Sequence, residues 1–168
     1  MNKSIFLLWL QGWDNAPWLQ KQVAKSWEIN NPDWAIHYID LDNLKDYCDD
    51  IDYIYDQSKH IKPQHKSDIT RLSLLKNHGG IWVDATLLCM QPLDHWVHEA
   101  ISASGFWEYN SCIDNQTGYV GGAIWFISSI RFSCIINSWK AACDDYWIKR
   151  KKPHSYFWLD SLFKNLFF

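Results

Sequence analysis

The passage from residue 64 to residue 84 constrains this chain most. Ile69, Leu72 and Leu75 recur at helical spacing between Gln64 and Asn77. His78-Gly79-Gly80 ends that helix with a glycine cap. Ile81-Trp82-Val83 then follows without a linker, as an apolar strand closed by Asp84. A helix delivered by two glycines into a wholly apolar strand belongs in a sheet covered on both faces. The N-terminal segment reads the same way. Ile5 to Leu10 is a continuous apolar strand that ends near Gly12. Asp14 or Asn15 offers a helix N-cap and Pro17 a first-turn proline. Leu19, Val23 and Trp27 recur at i, i+4 and i+8, and Asn30-Asn31-Pro32 stops the helix. Trp34 to Ile39 is a second strand. Strand, helix, strand is the βαβ signature of an α/β fold with a mostly parallel sheet flanked by helices.

The 168 residues, 48% hydrophobic and 21% charged, fit one globular domain over residues 1–168. The formal net charge is −3, and the basic run is short, Lys149-Arg150-Lys151-Lys152. That argues against a nucleic-acid partner, which calls for a basic face. The run is a solvated helix end, or a peripheral contact with an anionic membrane surface. The five cysteines are scattered singly with no C-x-x-C, which fits a reducing compartment rather than a disulfide framework or a zinc site. Ile5 to Leu10 is too short for a secretory signal, and no apolar run reaches the ~20 residues of a membrane span. A cytoplasmic protein is expected, with the inner membrane face as the place of any peripheral contact. Aromatic residues make up 17% of the chain, with 12 Trp. Core packing accounts for most of them, and stacking platforms for sugar rings or bases for a few.

Asp42 to Lys59 is acidic and Tyr-rich, and reads as one or two short surface helices. Ala85 to Met90 is expected to stay extended until Gln91-Pro92-Leu93-Asp94 breaks it. Phe106 to Tyr109 and Ala123 to Ile127 are strands separated by a loop holding Gly118, Gly121 and Gly122. Ser128 or Ser129 caps a helix to about Arg150. Ser155 to Phe167 is a last amphipathic helix, with Tyr156, Leu159, Phe163 and Leu166 along one side.

Three charged residues carry the chemistry. Asp68 and Arg71 are three apart on a helix and share a face. Asp84 stands where a buried strand emerges, the edge at which open α/β sheets bind ligands. A carboxylate there is costly unless paired, hydrated or bound to metal. Mg²⁺ or Mn²⁺ suits carboxylate and water ligands alongside substrate phosphates. The plain alternative is a surface Asp68–Arg71 pair and an Asp84 that caps a turn. Glu108, Asp114 and Asp160 are further carboxylates in segments able to face an acceptor, and Asn110 or Asn115 is able to bond a sugar. His95 and His98 fit a surface helix better than a metal motif.

The segment from Ser67 to Thr86, D-x-x-R followed by a helix and Gly79-Gly80-Ile81-Trp82-Val83-Asp84-Ala85-Thr86, resembles the sugar-binding region of glycosyltransferase family 32 and its capsular polysaccharide synthesis relatives. A similar region occurs in the clostridial glucosylating toxins. The resemblance extends to Phe6-Leu7-Leu8-Trp9-Leu10-Gln11-Gly12, Asn31-Pro32-Asp33-Trp34, Gln91-Pro92-Leu93-Asp94, Ala123 to Ile127 and Tyr156-Phe157-Trp158-Leu159-Asp160. It implies a GT-A fold, a nucleotide-diphosphate sugar donor with UDP favoured, and transfer to a saccharide acceptor in capsule or surface-glycan synthesis. It implies retention of configuration by front-face attack, so no nucleophile is assigned.

Carried over, Trp9 stacks on the base and Gln11 lies beside the donor. Asp68 and Arg71 hold sugar hydroxyls and diphosphate, and Trp82 lines the nucleoside pocket. Asp84 contacts ribose or sugar hydroxyls. Asp84 and Thr86 attend Mn²⁺ or Mg²⁺. Asp84, Asp68 and Arg71 form the catalytic set. Thr86 departs from the family's D-x-D form and offers a neutral oxygen to the metal, in the D-A-T variant of the capsular group. A non-catalytic carbohydrate-binding module is the competing reading. So is an inactive transferase fragment shortened at the C-terminus.

Overall fold

The computed structural model describes residues 1–113 and 120–167, with the side chains of residues 110–113, 120 and 121 left aside. Asp114, Asn115 and Gly118 lie outside the described residues, and so does the side chain of Asn110.

The strand β1 (Ser4–Leu8) is followed by α1 (Trp18–Asn30) and β2 (Ala35–Ile39), the βαβ unit expected. Short helix α2 (Leu44–Tyr47) and a 3-10 turn lead to α3 (Pro63–His78) and β3 (Gly80–Val83). Short helix α4 (Val97–Ala100), strands β4 (Phe106–Ile113) and β5 (Val120–Ser129), and helices α5 (Cys134–Ile148) and α6 (Trp158–Phe167) complete the chain. The sheet order is β2-β1-β3-β5-β4. The β1–β2 and β1–β3 pairs are parallel, whereas β3–β5 and β5–β4 are antiparallel. The sheet is therefore mixed. Its parallel half comes from the βαβ unit and the α3 crossover, and its antiparallel half from a hairpin.

Strand alternation explains why the first strand is apolar from Ile5 to Leu8. Ile5 and Leu7 enter one core with Ala24 and Trp27 of α1 and Ile81 and Val83 of β3. Phe6 and Leu8 enter the other core with Trp82 and with Leu72, Leu75 and Trp139. Both faces of β1 are covered, and its one polar residue, Ser4, is buried with His37 Nε2 3.2 Å from its hydroxyl. Helix α3 is enclosed rather than one-sided, because every residue from Asp68 to Leu75 is buried. Its polar members need partners. Ser73 donates to Asp50, which also takes Lys76 and the fully buried Lys140, and Lys140 reaches Asp144 at 2.7 Å.

Two family-like flanking segments meet each other. The Leu93 N–H donates to Asn31 Oδ1 at 2.7 Å, and the Trp34 indole donates to Asp94 Oδ1 at 3.0 Å. They fasten the loop after β3 to the start of β2. That loop is not the extended continuation expected for Ala85 to Met90; it turns at once, with Leu87 N–H on Asp84 C=O. The helix expected from Ser128 or Ser129 begins later, at Ser133, because both serines still belong to β5. Leu19, expected on the buried face of α1, is exposed; Val23, Ala24 and Trp27 carry that face.

Gly79 and Gly80 both sit at positive φ, 64° and 103°. A Cβ on Gly80 would stand 2.5 Å from the Ser4 carbonyl oxygen of the neighbouring strand. Gly80→Ala is expected to destabilise the domain by about 2 kcal/mol or more, through strained φ and loss of β1–β3 contact. Urea unfolding at constant m-value measures this; an unchanged midpoint would contradict the close approach of β3 to β1.

Candidate active site

The αβ crossover brings Arg71 of α3 against the end of β3. Its guanidinium is almost wholly buried and held from several sides. Nη1 donates to the Ile124 carbonyl, Nη2 to Ser67 Oγ at 3.2 Å, and Nε to the Ser67 carbonyl at 3.4 Å. Nη2 also lies 3.2 Å from Asp68 Oδ1 and 3.5 Å from Asp84 Oδ1. The Trp82 ring centroid is 5.0 Å from Cζ, a cation–π distance. The Asp68–Arg71 pair is thus a buried pair and not the surface pair that spacing alone allows.

The Ile124 carbonyl is available because β5 bulges. Glu108 of β4 pairs with Ile127, yet Tyr109 pairs with Ala123, which leaves residues 124–126 without a β4 partner. A bulge frees ladder carbonyls and re-aims them. Ile124 C=O turns to Arg71, and Trp125 C=O accepts from the Asp84 N–H at 2.9 Å.

Two indoles fix the carboxylates. Trp82 Nε1 donates to Asp84 Oδ1 at 2.8 Å, and Trp158 Nε1 of α6 donates to Asp68 Oδ2 at 3.0 Å. Burial pushes the Asp68 carboxyl above its ordinary range. Arg71 and the Trp158 N–H act the other way, and the nearby Asp84 adds to the rise. Asp84 is one-third exposed, and its Oδ1 carries these contacts.

A cleft of about 600 Å³ opens over this set. Asp68, Arg71, Asp84, Trp125, Tyr156 and Asp160 are among its walls. Trp9 and Gln11 stand at the end of β1, one strand away, and do not line it. Trp82, expected to line a nucleoside pocket, is 1% exposed and packs beneath Arg71, so it acts on the cleft only through Arg71 and Asp84. Thr86 is exposed on the turn two residues past Asp84. Among the described residues no three His, Cys, Asp or Glu side chains cluster as a metal nest. Ser67, Ile124 and the Trp158 indole are parts of the site that the sequence did not reveal. Ser67 stands four residues before Arg71 on the same helix face, a signal that was present.

Glu108 sits behind the cleft wall. A Cβ on Gly122 would fall 2.1 Å from its carboxyl, so that glycine makes the room. Its Oε2 is buried without a hydrogen-bond partner among the described residues. Burial, and then the charge of Asp160, push its carboxyl up to about 7.

The sequence profile of the capsular polysaccharide synthesis protein family matches residues 1–167. The chain belongs to that family. It is similar to an O-glycosyltransferase, braB, of Annulohypoxylon truncatum, 30% identical over 95 residues, covering 50% of this chain and 23% of that protein. It is similar to the glycosyltransferase afumC of Aspergillus fumigatus, 24% identical over 161 residues, covering 86% of this chain and 38% of that protein. The chain thus spans well under half the length of these relatives. Among solved structures it resembles the PaToxG glycosyltransferase, with a TM-score of 0.63 and 17% identity over 98% of this chain and 68% of that one. It also resembles the UDP-bound glycosyltransferase domain of the YGT toxin, with a TM-score of 0.55 and 10% identity over 88% and 62% of the two chains. The fold is of the GT-A type found in these domains. No described helix is long and apolar enough to cross a membrane.

Glu108 has a pH signature. Its folded-state carboxyl titrates near 7, above the ordinary 4.5. Its contribution to stability is complete below the ordinary value and is lost as pH rises through 7. Glu108→Gln is expected to match wild type at pH 4 and to exceed it by up to about 3 kcal/mol at pH 8.5. Urea midpoints at the two pH values check this; parallel midpoints would place the carboxyl in water.

Proposed function

We propose that this member of the capsular polysaccharide synthesis protein family is a glycosyltransferase. It moves a sugar from a UDP-sugar to a saccharide acceptor, with retention. The observation that carries the reading is the buried Arg71, fixed by Ser67, Asp68, Asp84 and the Ile124 carbonyl at the floor of an open cleft. A planar guanidinium suits the oxyanions of a diphosphate. Held this way it needs no reorganisation as negative charge develops on the leaving diphosphate. Likeness in fold to the UDP-bound YGT toxin domain favours UDP as the nucleotide.

The roles follow from position. Asp68 and Asp84 accept hydrogen bonds from donor sugar or ribose hydroxyls. The acceptor oxygen bonds to the anomeric carbon as the carbon–oxygen bond to the diphosphate breaks. The electron pair goes to the phosphate oxygen, and the acceptor proton follows it to the same group. No side chain is needed as nucleophile. Trp9 and Gln11, one strand from the cleft, are assigned to the base side of the donor.

Among the described residues, the cleft walls carry Asp68, Asp84 and Asp160 against Arg71 alone. An anionic diphosphate enters such a cleft poorly without a cation. The chemistry of the donor set fits Mg²⁺ or Mn²⁺ held by one carboxylate, one hydroxyl, diphosphate oxygens and water. Asp84 and Thr86 are the residues that would hold it. When bound, the metal neutralises charge on the leaving diphosphate. Capsule or surface-glycan assembly is the setting we assign, and contact with an anionic membrane face through Lys149–Lys152 belongs to the same reading.

UDP release from a panel of UDP-sugars, with Mn²⁺, Mg²⁺ or chelator, tests the proposal. Turnover of one sugar, at least tenfold lower with chelator, is expected. Asp84→Asn should cost about a hundredfold or more while its thermal unfolding stays close to wild type. Absence of both nucleotide binding and turnover in every metal would leave the carbohydrate-binding module as the better reading.

A further inference from the structure

The donor cleft does not end at Trp125. On its other side lies a second concavity of about 240 Å³, and Trp125 lines both. Trp27, Leu88, Met90, Trp96, Tyr109 and Phe126 line this groove. Trp125 stands at the junction, stacked on Tyr109 with ring centroids 5.2 Å apart and planes 20° apart.

The loop on one side of the groove is pinned from within. Its Leu87 carbonyl accepts from the Trp27 indole at 2.7 Å, its Cys89 N–H donates to Ser26 Oγ at 2.9 Å, and its Cys89 carbonyl accepts from Asn30 at 3.2 Å. Those backbone groups are satisfied toward α1. What the loop offers outward is apolar: Leu88 is 51% exposed and Met90 79%. A rigid loop that spends its polar groups inward and leaves two large apolar side chains at the mouth of an aromatic groove is shaped for an apolar occupant.

We propose that this groove holds the apolar aglycone of the acceptor, so that the acceptor is an amphiphile whose hydroxyl-bearing end reaches past Trp125 into the donor cleft. This rests on the transferase reading above. The commitment to one occupant comes from continuity. The reacting hydroxyl must approach a sugar held over Arg71 and Asp84, and Trp125 is the wall common to that cleft and the groove. A wholly polar oligosaccharide would leave Leu88, Met90 and the aromatic floor uncovered. A chain or ring of hydrocarbon covers them.

The test uses alkyl β-glucosides from methyl to decyl, each below its micelle concentration. They are titrated calorimetrically on the protein alone, and used as acceptors with the UDP-sugar that is turned over best. Affinity and kcat/KM are expected to rise about three- to fourfold per methylene until the groove is full, then level off. Met90→Asp, alone and with Leu88→Asp, is expected to flatten both series and to leave acceptor-independent hydrolysis of the UDP-sugar within twofold of wild type. Flat series on wild type with hydrolysis intact would overturn the aglycone site and spare the transferase. Chain-length dependence that survives both aspartates would also overturn it, since the contact would lie elsewhere. No UDP binding and no hydrolysis would remove the transferase reading, and this proposal with it.

Discussion

A buried guanidinium with too few partners would be among the most destabilising groups a small domain can carry. The structure around Arg71 reads as the solution to that constraint. Two carboxylates, a serine hydroxyl, two backbone carbonyls and an indole face surround one side chain that is 4% exposed. The partners come from three pieces of the fold. Asp68 and Ser67 arrive by helical spacing on α3, Asp84 by the end of β3, Ile124 by the bulge in β5, and Trp82 by alternation within β3. The indole of Trp158 on α6 secures Asp68 in turn. An arrangement this complete is in place before any ligand arrives, which is the condition for stabilising charge in a transition state.

The architecture explains why those pieces meet. β1 and β3 are parallel, so their carboxyl ends, followed by Trp9 and Asp84, lie on one edge. β5 runs against β3, which lets its bulge place two carbonyls beside Asp84 and Arg71. α5 packs on α3 and carries the chain back so that α6 lines the cleft with Leu159 and Asp160, while its buried Trp158 holds Asp68. The buried ion network of Asp50, Lys140 and Asp144 does for the α3–α5 contact what Arg71 does for the cleft. The same loop that carries Thr86 goes on to expose Leu88 and Met90, so the proposed metal and acceptor sides are separated by only a few residues.

Much of this was legible in the chain. Two apolar strands, a helix between them and a Gly-Gly cap imply the βαβ core, because period and punctuation are local properties. Helical spacing paired Asp68 with Arg71 and the strand end placed Asp84, and the resemblance to the family joined the three in one site. What lay beyond reach depended on register. Nothing in Ala123 to Ile127 announces that three residues bulge away from β4, and so nothing announced the Ile124 carbonyl as a ligand for Arg71. The antiparallel half of the sheet depends on the same hairpin. The family resemblance implies that Trp82 lines a nucleoside pocket. Alternation within β3 instead sends it inward, under the guanidinium, where it is 1% exposed. Gly122 carried no special signal, yet its missing Cβ is what admits Glu108.

The central claim is that a pre-fixed Arg71 is the anchor for a diphosphate. Calorimetric titration of UDP in Mn²⁺ onto wild type and Arg71→Lys, with thermal unfolding of both recorded, tests it most directly. Lysine keeps the charge but not the fork. The account predicts that UDP affinity falls tenfold or more while the variant remains folded. Equal affinity in the two folded proteins would contradict it, because the diphosphate would then be held without the guanidinium geometry on which the site is built.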